Sequence, residues 1–154
     1  MKKRDCIILG LLACLARAEE PDLPPRVAEC MKHAGPSFEI DYRLNPFYLR
    51  GDLDGDRKPD YAVLVKKGPN RGIVVCRSAS LKALILGAGS AFNRMADLDF
   101  ASWEVFDKRQ VQQGAGEGRP PKLIGEAIWV EWSERASALI YWTGRTFAWY
   151  QQGD

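Results

Sequence analysis

The sequence predicts a mainly β or α+β domain, an antiparallel β-sheet meander with one short N-terminal helix. Three observations carry that expectation. From Phe38 onward, apolar residues either alternate with polar ones or form short runs bounded by Gly, Pro, Asn and Asp. Helical spacing of apolar residues stands out in one short segment near the N-terminus. The strand candidates succeed one another through short connections, which suits antiparallel pairing, whereas parallel strands need long crossovers.

In the helical segment, Val27, Cys30, Met31 and Ala34 recur at helical spacing. Pro25 suits a first helical turn, where its missing N–H costs nothing, and Gly35-Pro36 stop the helix. Next, Phe38, Ile40 and Tyr42 alternate with Glu39, Asp41 and Arg43, the pattern of a half-buried strand. Residues 46–49 read as a short strand and residues 61–65 as a continuous apolar one. Residues 66–72, with Gly68-Pro69-Asn70, read as a hairpin turn leading to a partner strand at 73–76. A strand at 83–86 is broken by Gly87-Ala88-Gly89-Ser90, residues 91–99 fit no period, and 103–106 read as a strand. Residues 110–121, with Gly114, Gly116, Gly118 and two prolines, read as a mobile loop. Three strands close the chain at 127–132, 138–142 and 146–151, the last two joined by Thr143-Gly144-Arg145.

The N-terminus has the three parts of a secretory signal peptide: basic Lys2-Lys3-Arg4, an apolar run at 6–15, and Ala16-Arg17-Ala18 as the cut. The run is too short to cross a bilayer, which takes about 20 residues. The expected organisation is therefore a signal peptide at 1–18 and one β-rich domain at 19–154, with no transmembrane segment in the mature chain. Such a signal implies export to the periplasm or beyond the cell. Leu11-Leu12-Ala13-Cys14 offers the alternative of an outer-membrane lipoprotein lipidated at Cys14. The whole chain has 22 Lys+Arg and 20 Asp+Glu. Cleavage removes Lys2, Lys3, Arg4, Arg17 and Asp5, leaving 18 basic against 19 acidic residues, a net charge of −1. No basic patch survives to suit nucleic acid. Cys30 and Cys76 remain, and an even pair in an oxidising compartment predicts a disulfide.

The chemistry-bearing segment is Asp52-Leu53-Asp54-Gly55-Asp56-Arg57-Lys58-Pro59-Asp60. Asp52, Asp54, Asp56 and Asp60 stand at positions 1, 3, 5 and 9, and Lys58 would add its backbone carbonyl from position 7. Alternate side chains of a wrapped loop converge on one point, and four carboxylates gathered there repel unless a cation neutralises them. Calcium, with 6–8 oxygens at flexible geometry, fits best. The loop is not an EF-hand, because Val63 stands at position 12 and Arg57 at position 6, where Glu and Gly are needed. The stretch from Gly51 through Leu64, D-x-D-G-D-x-x-x-D running into an apolar strand, resembles the FG-GAP or VCBS-type repeat. That resemblance implies a structural calcium loop between two strands of one antiparallel unit, with Asp52, Asp54, Asp56 and Asp60 as ligands. It covers about a tenth of the chain and occurs once.

Other sites are less pointed. His33 is the single histidine and reads as a solvated helix-end residue. Glu131 and Glu134 read as surface charges. Trp129, Trp132, Trp142 and Trp149 fall on both faces of the last strands, as core or as an aromatic stripe for sugar or protein. The function expected is a non-enzymatic binding module with no catalytic residues, taking a protein partner or cell-wall glycan. The alternatives are an inhibitor or immunity protein against an envelope enzyme such as a peptidoglycan hydrolase, and a calcium-assisted hydrolase.

Overall fold

The computed structural model describes residues 23–80, 82–114, 119–133 and 136–153. The expected signal peptide and Cys14 lie outside the described residues, as do Gly116, Gly118 and Glu134. The elements run α1 (Pro25–Ala34), β1 (Glu39–Ile40), β2 (Tyr48–Gly51), β3 (Asp60–Lys67), β4 (Asn70–Cys76), β5 (Leu84–Gly87), β6 (Ser102–Phe106), a 3₁₀ turn at Lys108–Gln110, β7 (Ala127–Glu131), β8 (Ser137–Trp142) and β9 (Phe147–Gly153). The mainly β class with one short helix is as the sequence predicts.

The strands form two antiparallel sheets. The first runs β1-β3-β4-β5, with β2 also on β3. β1 pairs with the Val65–Lys66 end of β3, and β2 with its Asp60–Val63 end. The second sheet is the meander β6-β7-β8-β9. The main core lies between them. Leu49, Ala62, Leu64, Ile73 and Val75 from the first sheet meet Ile128, Val130, Ala138, Ile140, Trp142 and Phe147 from the second. Because side chains alternate along a strand, Val63, Val65, Val74 and Cys76 point the other way, onto Val27 and Cys30 of α1. β3 and β4 are thus buried on both faces, which is why they read as continuous apolar runs. The layers are helix, sheet and sheet. A disulfide joins Cys30 of α1 to Cys76 at the end of β4, Cα atoms 5.7 Å apart.

Several boundaries differ from the sequence reading. The strand predicted from Phe38 through Arg43 keeps only Glu39–Ile40. Asp41 turns its carboxylate back to accept from the Arg43 backbone N–H and from Arg43 Nε, at 3.2 and 2.9 Å, and this local ring ends the strand. Arg43 then donates to the Phe100 carbonyl at 2.6 Å. That contact gives the aperiodic 91–99 segment its anchor, with Leu98 and Phe100 buried in the main core. The β3–β4 hairpin is tighter than predicted: pairing continues to Lys67 opposite Asn70, and Gly68, at φ 57°, takes the left-handed turn. The described start of the 110–121 loop is anchored. Gly114 donates to the Tyr150 hydroxyl at 3.0 Å, and a Cβ on Gly114 would strike the Gln151 carbonyl.

Candidate metal centre

The acidic loop is the connection from β2 to β3. Gly51 pairs with Asp60, so the ladder clamps the loop at its base. Its conformation needs left-handed backbone twice, at Gly55 (φ 82°) and at Arg57 (φ 67°). Gly55 takes it freely, whereas Arg57 does so at a cost of roughly 1 kcal/mol. Leu53 points inward and is fully buried in the main core, so the loop is anchored by an apolar side chain as well as by its strands.

Carboxylate oxygens of Asp52, Asp54 and Asp60 lie within 4.8 Å of one another. Asp60 is fully buried. One of its oxygens accepts from the Asp54 N–H at 3.0 Å and the other from the Ser78 N–H at 2.6 Å. Burial holds the Asp60 carboxyl above the ordinary carboxylate range, against the Ser78 bond, and the Asp54 and Asp56 charges push it the same way. Asp54 accepts from the Asp56 N–H at 3.2 Å and from Arg77 Nη1 at 3.3 Å. Asp52 Oδ1 is buried without a hydrogen-bond partner. Asp56 stands apart from this trio. It accepts from the Ser78 hydroxyl at 2.7 Å and from the Lys58 N–H at 2.8 Å, and the Ser78 bond draws its pKa down. Of the predicted metal residues, the fold therefore gathers the carboxylates of Asp52, Asp54 and Asp60. It turns Asp56 toward Ser78 and Lys58 toward Asp56.

The loop sits against the entrance of the second sheet. The Asp52 N–H donates to Glu126 Oε2 at 2.7 Å, and the Glu126 N–H returns a bond to the Asp52 carbonyl at 2.7 Å. Gly125 packs so closely that a Cβ there would meet the Asp52 carbonyl and stand 2.7 Å from the Gly55 nitrogen. The site is thus a seam: the β2–β3 loop and the first residue of β3 supply the carboxylates, β4 leads into Arg77 and Ser78, and the approach to β7 closes one side.

Arg77, Ser78 and Glu126 were not legible as site residues. Arg77 and Ser78 carried a signal in retrospect, because the Tyr61–Cys76 pairing brings the residues just beyond β4 beside Asp60. Glu126 lies 74 residues from Asp52, and only the packing of the two sheets brings it there.

The trio fits a hard divalent cation: oxygen donors converge, one of them is buried and open, and the negative charge is unbalanced.

The remaining candidates have ordinary settings. His33 is exposed and its ring nitrogen meets the Glu29 carbonyl of its own helix at 2.8 Å. Glu131 is an exposed surface residue. The tryptophans divide: Trp132, Trp142 and Trp149 pack on the main core, while Trp129 lies on the outer face of the second sheet. There it stacks on Phe106, ring centroids 5.7 Å apart and planes 20° from parallel. No helix among the described residues is long and apolar enough to cross a membrane. Comparison with protein-family models, curated proteins and solved structures finds no match for the chain.

Proposed function

We propose that the chain is a non-enzymatic binding module of the periplasm or extracellular space, built around a structural calcium ion in the 52–60 loop. The observation that carries the ion is the convergence of Asp52, Asp54 and Asp60 with a buried, unpartnered Asp52 oxygen. A cation there would neutralise the trio and fix the seam between β2, β3 and the approach to β7. The resemblance of Gly51 through Leu64 to the FG-GAP or VCBS-type loop supports the choice of calcium. The signal-like residues 1–18 support export, and the Cys30–Cys76 disulfide suits an oxidising compartment.

In this reading the ion stiffens the scaffold and the outer face of the second sheet does the binding. Phe106, Trp129, Tyr141 and Tyr150 share that face by strand alternation, all half-buried, with exposed Glu104 and Glu131 beside them. Stiff aromatic side chains with polar tips recognise protein surfaces and sugar rings at little entropic cost. Two assays test the face. In one, the purified protein sediments with isolated peptidoglycan; in the other, it co-purifies stoichiometrically with an envelope protein. Trp129→Ala is expected to abolish whichever interaction occurs while the protein stays folded, read by its circular dichroism, with a modest fall in melting temperature from the lost stacking on Phe106. Interaction undiminished by Trp129→Ala, or none in either assay, would remove this face from the account.

A further inference from the structure

Arg77 is poorly explained as an ordinary surface arginine. It comes directly after the disulfide-bonded Cys76 at the end of β4, and its side chain is 21 % exposed. Its guanidinium carbon stands 4.2 Å from the centroid of the Trp142 ring, itself in the main core. Its Nη1 is 3.3 Å from Oδ2 of Asp54, a side chain 4 % exposed. Its Nε is buried without a partner. A cation has been brought into the core's edge, with one donor left unsatisfied, to reach a carboxylate of the acidic trio. We infer that Arg77 is the resident counter-cation of the loop, holding it folded in the absence of metal and weakening its affinity for a divalent ion.

The charge balance supports this. Arg77 offsets part of the negative charge that Asp52, Asp54 and Asp60 bring together, and the remainder is what a divalent cation would neutralise. Asp60 is organised by two backbone N–H groups, so the fold around it does not wait for metal. Asp54 is shared, with one oxygen already committed to Arg77. A divalent ion held by Asp54 would sit about one carboxylate away from the guanidinium, at the edge of a low-dielectric core. Repulsion between them is large enough there to change affinity by roughly tenfold or more. Trp142 keeps Arg77 in place by cation–π attraction, so the guanidinium cannot leave without losing that contact.

The inference rests on the calcium reading proposed above, and the test separates the two. Calcium is titrated calorimetrically into the wild type, Arg77→Met and Arg77→Lys, with melting temperatures read in chelator and in millimolar calcium. Arg77→Met, which keeps the stem over Trp142 and removes the charge, is expected to bind calcium roughly tenfold more tightly and to melt lower in chelator. Arg77→Lys, which keeps the charge, is expected to stay near the wild-type affinity. Arg77→Gln supplies the same comparison if Arg77→Met does not fold. Calcium binding to the neutral variants with unchanged or weaker affinity overturns the role of Arg77 and leaves the calcium site standing. Absence of heat and of any melting shift in all the proteins overturns both.

Discussion

Arg57 shows how a single residue sets the quality of the loop. It occupies a left-handed conformation at φ 67° in an exposed position, where glycine would carry no steric penalty. Arg57→Gly is therefore expected to stabilise the folded protein, by about 1 kcal/mol or less once the added freedom of the unfolded chain is subtracted. Urea unfolding checks it, and a lower midpoint in the variant would contradict the strain. This position was legible in the sequence, because the spacing of the aspartates fixes Arg57 at the sharpest part of the turn. The acidic residues of the loop were legible for the same reason. Which carboxylates converge was not. Asp56 is drawn off by Ser78, a residue 22 positions away that no local pattern connects to it.

Among the elements, β4 does the most to join the parts. Its inner face fills the main core, its outer face packs on α1, Cys76 ties it to the helix, and the next two residues hold Asp54, Asp56 and Asp60. Replacing Cys30 and Cys76 together by Ser is expected to cost about 4 kcal/mol of stability, since the bridge closes a long loop. Calcium affinity should fall with it, because Ser78, whose backbone N–H holds Asp60 at 2.6 Å, loses its fixed neighbour. Denaturant unfolding and calcium titration of the double variant test both parts. Loss of stability with unchanged affinity would show that the site does not depend on the bridge. The strands themselves were legible where apolar residues form short runs between turn residues, as in β3, β4, β7 and β8. They were least legible at β1, where Asp41 and Arg43 close a local ring that alternation alone does not reveal.

At the scale of the molecule, the expected antiparallel strands and short helix are found, with the strands divided between two sheets. The aperiodic stretch between β5 and β6 is where the chain passes from one sheet to the other. Two small local bridges, Gly87–Ser90 and Phe92–Met95, shape it, and contacts distant in sequence fix it: Arg43 on the Phe100 carbonyl, and the Arg71 N–H on Asp97 at 2.7 Å. No period marks such a crossing. The 52–60 loop matters at this scale because it sits where the sheets meet. Leu53 enters the shared core from one side, and Glu126 grips Asp52 from the other. An ion bound there would stabilise the packing of the whole molecule and not only one turn. Thermal unfolding of the wild type in chelator and in roughly 10 mM calcium tests this most directly. At the roughly 10⁻⁴–10⁻³ M dissociation constants usual for extracellular calcium modules, binding should add about 1–3 kcal/mol. The melting temperature should then rise by several degrees in one cooperative transition. An unchanged melting temperature, with no heat of calcium binding, would contradict the account.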